Sequence, residues 1–596
     1  MNRTFQLVIL TWFFFMSSSV FAQSAPAGNA HPETQSLSST AGQMENPFGD
    51  PVPATMNIQE KSAFADALDL SALDKIAVYH NGRVKIFSTL ARETVQRMTG
   101  KHKHFDLIVE FNDDGSTKSV EKIHYDPMFT MMDIMIDPYY YIDRPLVGIN
   151  YLPLRQEILS LNARDAESAG AKFNYKGWLK TGMVSPRMVD RYINEALTRN
   201  EDSEPFRTAV NRLDRSSALF MNSMANLQLG APISSDQLWQ HLGAMDSSSP
   251  ARIASMKLAT AWRAGDASSV NQASQELATA LAAINPETQA AASPGLEALY
   301  NKVNAFEWGL WMYLISLVLL VLAFGTGRKT LATAGVAFLF IALAFHGFGF
   351  TLRSLIAERF AIQNQFESMT GLSFFAAIVG TALMLVRKQW LFGAAAAGTG
   401  FLILITATQT GIPGENIERE AAILNTSVLL KYHVTTVLTS YGLVTLGFIV
   451  SLFYLGTHYG AKFFGKQELA TAGGPSLAGG ALGHDSSEQV GLQRTLKDLD
   501  TATMTILQLA FWTLGVGILL GAWWADHSWG RWWAFDPKET WALVTWIVYL
   551  IVIHIRYTGL KNRGLTTAWL SVAGFIVMLW TYFGVNLMLP GLHAYA

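Results

Sequence analysis

The 596-residue chain has no cysteine. Disulfides, thiolate zinc sites, iron–sulfur clusters and a cysteine nucleophile are excluded together. Charge is also scarce: Asp, Glu, Lys and Arg make up 15% of residues, against about a quarter in ordinary soluble domains. The signs nearly balance, 44 basic against 46 acidic side chains for a formal charge of −2, so there is no basic field for nucleic acid. What is abundant is apolar character, 50% of residues, with a mean hydropathy of +0.21. That combination argues for a membrane protein.

The average hides two unlike halves. Residues 1–22 read as a signal peptide: Arg3 supplies the positive start, Leu7 to Met16 the short apolar core, and Val20-Phe21-Ala22 a small-x-small cleavage pattern. An uncleaved anchor is the alternative, and either form exports the chain beyond it. Residues 23–60, rich in Ser, Ala, Pro, Gly and Gln, read as a flexible tether. Residues 61–304 form a soluble domain of mixed but mainly helical pattern. A short strand pair turns at Asn81-Gly82, a second hairpin turns at Asp113-Asp114-Gly115, and amphipathic helices dominate beyond Ser185. His102 and His104 alternate with Lys101 and Lys103 and read as a solvated basic turn rather than a metal site.

From residue 305 to 596 long apolar runs recur, each near the ~20 residues a spanning helix needs. They lie near 307–325, 330–350, 369–386, 390–408, 431–457, 504–522, 541–557 and 565–586. The fold class is therefore a membrane all-α protein of about eight transmembrane helices, preceded by a mainly helical α+β extracytoplasmic domain. Lys and Arg clusters follow the first, third, fifth and seventh runs and mark that side as cytoplasmic. The soluble domain then lies outside, in agreement with the signal peptide. Arg353, Arg359, Arg531 and Lys538 break the rule on the outer side. The Gly/Ser-rich stretch Ala470 to Ser487, with His484 inside it, reads as a cytoplasmic linker.

The loop at residues 523–541 carries the chemistry. Seven of the 17 tryptophans fall in the 24 residues Trp523 to Trp546, mixed with Asp, Pro, Lys and Glu. An aromatic belt at the bilayer interface explains scattered Trp at helix ends, but not this density. Indole faces can stack a planar ligand, and Arg531 and Lys538 can pair with carboxylates.

The run Trp529-Gly-Arg-Trp-Trp-Ala-Phe-Asp-Pro-Lys-Glu-Thr-Trp541 resembles the tryptophan-rich WWD signature of haem-handling proteins. The nearest match is the CcsA/ResC family of cytochrome c maturation (System II). Phe535 stands where the usual form has Trp, and Asp526-His527-Ser528 where such families often read Asn-Glu-Ala. The resemblance covers roughly residues 305–596. The stretch Asn81 to Arg92 looks like an N-terminal extension of some enlarged members.

The resemblance implies a set of roles. Trp529, Arg531, Trp532, Trp533, Phe535, Asp536, Pro537, Lys538, Glu539 and Trp541 would hold the haem ring. His433 and His593 would be axial ligands to the iron, and both fall on the outer face in the hydropathy topology. His554, inside the seventh run, would be an intramembrane ligand that receives haem from the cytoplasmic side; an ionisable residue there is a functional candidate in its own right. His346 and His527 are accessory candidates, and His458 reads as interfacial. The segment His346 to Arg353 and Asn364-Gln-Phe-Glu-Ser368 resembles the family's early helix, with Phe366 for Tyr.

The implied cargo is haem b. The implied partners are apocytochrome c and a separate CcsB/ResB-like membrane subunit, since the chain shows no extra helix set for one; nucleic acid is not a partner. The implied activity is haem export and presentation in the bacterial inner membrane, as part of a holocytochrome c synthase (haem lyase) complex. The alternatives are a related CcmC- or CcmF-type haem chaperone, a b-type electron-transfer subunit that keeps its haem, and a transporter of another planar or anionic solute.

Overall fold

The computed structural model describes residues 45–591 apart from 54, 112–116, 172, 235–236, 420–427, 464–486, 559–561 and 590. The signal-peptide segment 1–22, most of the tether, the Asp113-Asp114-Gly115 turn, almost all of the Gly/Ser-rich linker with His484, and His593 lie outside the described residues.

Asn81 (φ 51°) and Gly82 (φ 75°) supply the two left-handed positions of a tight hairpin turn. They join β1 (Ala77–His80) to β2 (Arg83–Ile86) in antiparallel register, His80 opposite Arg83. β3 (Phe105–Phe111) and β4 (Thr117–His124) form the second hairpin. Helices make up most of the rest of the soluble region, and several start at an explicit N-cap: Asp126, Ser185, Ser249 and Asp266 each accept a backbone N–H.

Two sequence expectations need correction here. The tether boundary falls too late: Phe48 is fully buried, Pro47 accepts a 2.8 Å bond from Ser255, and Asn57 with Glu60 forms a capping box on the helix Ile58–Ala67. Burial of the Phe48 ring fixes the chain well before residue 60. Nor is His104 in a solvated turn. It is buried, Nε2 meets the Pro145 carbonyl at 3.2 Å, and the ring stacks 5.9 Å from Tyr125. Burial holds its pKa below the usual histidine range, Asp106 opposing. Only His102 of the pair is exposed.

The soluble core also encloses a charged centre. Lys61 donates to Asp133 at 2.9 Å and to Asp137 at 2.8 Å. Trp262 Nε1 and the Tyr141 hydroxyl donate to the same Asp133 carboxylate at 2.8 and 2.7 Å. Every buried charge there has partners, as burial demands.

Eight helices among the described residues are long and apolar enough to span a membrane. They are α1 (Ala305–Thr326), α2 (Lys329–Ile356), α3 (Gln365–Arg387), α4 (Trp390–Gln409), α5 (Val428–Phe463), α6 (Ser487–Trp529), α7 (Pro537–Ile555) and α8 (Arg563–Leu579). The last continues through a π turn, Trp580–Gly584, into Val585–Met588. α4 is buried along Leu391–Gly400, where small residues admit neighbouring backbones. A side chain at Gly400 would collide with Tyr313, and one at Gly380 with Ala396.

The α2–α3 and α4–α5 connections meet at one end of this bundle. Arg353 is buried there and bonds Glu367 at 3.1 Å and the carbonyls of Gly414 and Glu415 at 2.6 and 2.7 Å. Arg359 also bonds Glu367. These are two of the four cations that broke the charge rule. Both pair with a single carboxylate, which cancels one of the two positive charges, and loop carbonyls solvate the Arg353 guanidinium.

Candidate functional site

The tryptophan-rich segment is only partly a loop. α6 runs on to Trp529, so Trp523, Trp524 and His527 lie on its last turns, where hydropathy had placed a loop. Gly530, at φ 71°, stops the helix, and its N–H returns to the Asp526 carbonyl at 2.8 Å. Six residues then reach the start of α7.

That start explains the polar half of the signature. Asp536 is the N-cap, Pro537 occupies the first helical position, and Glu539 completes a capping box. The Asp536 carboxylate accepts from Lys538 N at 3.2 Å, and Glu539 Oε2 accepts from Ala534 N at 2.9 Å and Asp536 N at 3.3 Å. The cap thereby fixes the loop that precedes it. Phe535, wedged between these bonds, has φ 55°, a strained setting for a bulky side chain. Its ring projects outward, 81% exposed, with Trp532 55% exposed nearby in sequence.

The other aromatic groups divide into supports and faces. Trp524 is 2% exposed and packs with Leu430 at the start of α5. Trp529 meets it edge-on at 4.9 Å and 70°. Trp541 meets Trp580 edge-on at 5.8 Å, and Trp533 meets Phe535 at 6.4 Å and 85°. Trp546 belongs to the core: it stacks on Phe511 at 4.7 Å and donates to the Phe511 carbonyl at 3.2 Å. Arg531 is exposed.

His433 stands on the first turns of α5 and faces α6. Nδ1 donates to the Gly517 carbonyl at 2.8 Å. The ring lies over Gly521, where an added Cβ would come within 2.5 Å of Cε1. A ring whose Nδ1 carries the proton has its lone pair on Nε2, the tautomer a metal takes. Gly591, two residues before His593, passes beside Asp536; an added Cβ there would fall 2.6 Å from Oδ1. The approach to His593 therefore reaches the Trp-rich segment, although His593 itself lies outside the described residues.

Of the other histidines singled out in the sequence, His527 lies within the Trp-rich segment, and His346, His554 and His458 are separate from it. His346 is buried: Nε2 donates to the Thr370 carbonyl at 2.9 Å, and Nδ1 faces the Tyr313 hydroxyl at 3.3 Å. Both ring nitrogens have protein partners. His527 is exposed on α6, with Nδ1 on the Trp523 carbonyl at 3.0 Å. His554 is exposed in the last turn of α7, its Nδ1 on the Leu550 carbonyl at 2.8 Å. It lies about 26 Å along the helix from Pro537, at the end opposite the Trp-rich loop. His458 stacks with Tyr454 at 6.2 Å.

Sequence reasoning named the ligand candidates and placed 523–541 as a loop, of which residues up to Trp529 are helical. It missed the two glycines of α6 that receive His433, and the capping box. The second was open to detection, because Asp-Pro-x-Glu before an apolar run is a helix-start pattern.

The family described as "Cytochrome C assembly protein" matches residues 304–593. The cytochrome c biogenesis protein CcsA of Synechococcus elongatus is 33% identical over 296 residues, 45% of this chain and 88% of that protein. The protein of the same description from Parasynechococcus marenigrum is 32% identical over 301 residues, 48% and 94% of the two chains. Protein NrfI of Wolinella succinogenes is 30% identical over 307 residues, 50% of this chain and 31% of that one. The family match begins where the soluble region ends.

Proposed function

Since the chain belongs to the CcsA family of cytochrome c biogenesis proteins and acts in haem handling for cytochrome c maturation, we propose that it carries haem b outward and presents it to apocytochrome c. In this reading residues 1–22 direct export, and residues 61–304 and the Trp-rich loop face the periplasmic side of the bacterial inner membrane. Haem, the cargo, enters near His554, whose exposed position on α7 suits a site shared with a CcsB/ResB-like subunit. At the outer face His433 and His593 ligate the iron. Trp532, Trp533 and Phe535 cover the ring, Trp529 and Trp541 support them, and Arg531 and Lys538 meet the propionates.

The observation that carries this is the setting of His433. Its Nδ1 proton is held by the Gly517 carbonyl and its ring is wedged over Gly521, one helix turn from Trp524. That fixes both tautomer and ring plane before any ligand arrives.

The chemistry of attachment needs no nucleophile from this chain. Each apocytochrome thiol adds across a haem vinyl group: the sulfur bonds the carbon next to the ring, the thiol hydrogen goes to the terminal carbon, and no oxidant is consumed. The chain's share is orientation of the ring and exclusion of water around the iron. Asp536 and Glu539 serve indirectly, by holding the loop on α7.

The test is absorption spectroscopy of the detergent-solubilised protein, with and without a CcsB-like partner, for wild type, His433→Ala, His593→Ala and His554→Ala. Six-coordinate low-spin haem in wild type, lost or turned high-spin in the two outer variants, is the expected result. A wild type that carries no haem beside its partner sinks the reading and returns the solute-transporter alternative.

A further inference from the structure

The soluble and spanning regions are joined by a polar clamp built from two arginines, one from each region, that grip the same loop. Arg83, at the β1–β2 turn, donates from Nε to the Ile417 carbonyl at 3.1 Å and holds Glu297 at 2.7 Å. Asn81 donates to Glu418 at 3.2 Å, and Arg97 pairs with the same carboxylate. Gly82, at φ 75°, lies under the stem of Arg419, where a Cβ would come within 3.1 Å of Cδ. From the other side Arg353 holds the carbonyls of Gly414 and Glu415, and Phe366 N donates to the Pro413 carbonyl at 3.2 Å. The helix Pro294–Val303 closes the circuit, with Glu297 on Arg83 and Tyr300 on Arg353 at 3.3 Å.

This clamp lies directly upstream of both outer ligands. The gripped loop leads through residues 420–427 into α5 and His433. The Arg353–Glu367 pair sits at the start of α3, where Ser368 and the Gln365 carbonyl bond Tyr582. Tyr582 belongs to the π turn of α8, the segment that leads to Gly591 beside Asp536 and then to His593. Two ligands from distant parts of the chain must present their nitrogens to one iron, and misplacement by about 1 Å is costly in such sites.

We propose that the soluble region is a positioning element: its β1–β2 hairpin, through the loop 413–419, sets where the His433 end of α5 stands against the Trp-rich end of α6. The proposal deepens the outer-site reading, on which the role of His433 rests. Arg83 is its principal residue. Arg97 and Glu418 are partly exposed, so their pair contributes less.

The absence of cysteine permits a direct test on the full chain. Spin labels on Lys431→Cys and Ser528→Cys report the distance between the starts of α5 and the Trp-rich segment. Haem spectra are taken on the same variants without labels. Arg83→Gln is expected to broaden the distance distribution and to lower the His433-dependent low-spin haem about threefold, and Arg97→Glu to do both to a smaller extent. The His554-dependent signal should stay, as should elution as a folded species. Arg97→Glu with Glu418→Arg should restore both readouts. A narrow, wild-type distribution in Arg83→Gln overturns the proposal whatever the spectra show. A broadened distribution in a chain with no His433-dependent haem leaves the positioning role standing and removes the outer-site reading instead.

Discussion

Two polar centres at the same end of the bundle are built in opposite ways. Around Arg353 and His346 the protein takes up both side chains: the guanidinium by a carboxylate, a hydroxyl and two carbonyls, the imidazole by Thr370 and Tyr313. Around His433 and the Trp-rich loop the protein props side chains outward. The Asp536–Glu539 cap holds Phe535 in a strained, exposed position, and Gly517 and Gly521 fix one edge of an imidazole. The first arrangement is what stability favours, the second what a ligand site needs. Histidine alone does not distinguish them; its burial does, complete for His346 and partial for His433.

Breaking the saturated centre should have the largest effect on stability. Glu367→Gln leaves Arg353 and Arg359 without their shared counter-charge in a buried setting, at a cost of about 3–5 kcal/mol. Thermal unfolding in detergent should show a large drop in Tm. His346→Ala should follow, at about 1–3 kcal/mol, because it takes the imidazole from the buried Tyr313 hydroxyl, while the Thr370 carbonyl keeps its bond from Ser373. Its haem spectrum should match wild type, and loss of low-spin haem there would erase the contrast between the two centres.

The propped centre should respond the other way round. Gly521→Val drives a side chain into the His433 ring and should lower outer-site haem occupancy roughly tenfold, a change of ~1.4 kcal/mol in binding, with Tm moved far less than in Glu367→Gln. Asp536→Ala removes the α7 cap and should cost about 1 kcal/mol. Its haem should exchange faster with an added acceptor such as apomyoglobin, since the loop loses its anchor.

How much of this was legible in the sequence depends on the range of the interactions. The eight spans and the Asn81-Gly82 turn depend on local pattern and were legible. The length of α6 was not: hydropathy ended the span at residue 522, whereas backbone hydrogen bonding carries the helix to Gly530, the first residue able to turn it off. His104 was misread because its neighbours Lys101 and Lys103 are polar, while its burial comes from Tyr125 and Tyr141 further along the chain. The clamp was invisible for the same reason: Arg83 and Ile417 lie 334 positions apart. The site residues His433 and Trp529 to Trp541 were named through a motif, but the capping role of Asp536 and Glu539 needed the backbone to be seen.

The smallest effect concerns the joint between the two regions. His80, opposite Arg83 at the hairpin, is held near a pKa of about 4 by burial and by Lys85 and Arg97, with Glu418 opposing. Unfolded, the same imidazole titrates near 6.5. The unfolded chain therefore takes up the proton first as pH falls. The contribution of a neutral His80 is complete above about pH 6.5 and drains away toward pH 4. Glu418 adds to this at the lower end: burial raises its pKa, but Arg97, Asn81 and Lys85 outweigh that and hold it below the usual carboxylate range. His80 is only partly buried, so solvent screens much of the effect. Limited proteolysis of the soluble region across this range should show protection falling with acid in wild type, and a flatter profile in His80→Gln, which cannot take up the proton. Parallel profiles for the two proteins would mean that the acid sensitivity of the joint resides in a group other than His80.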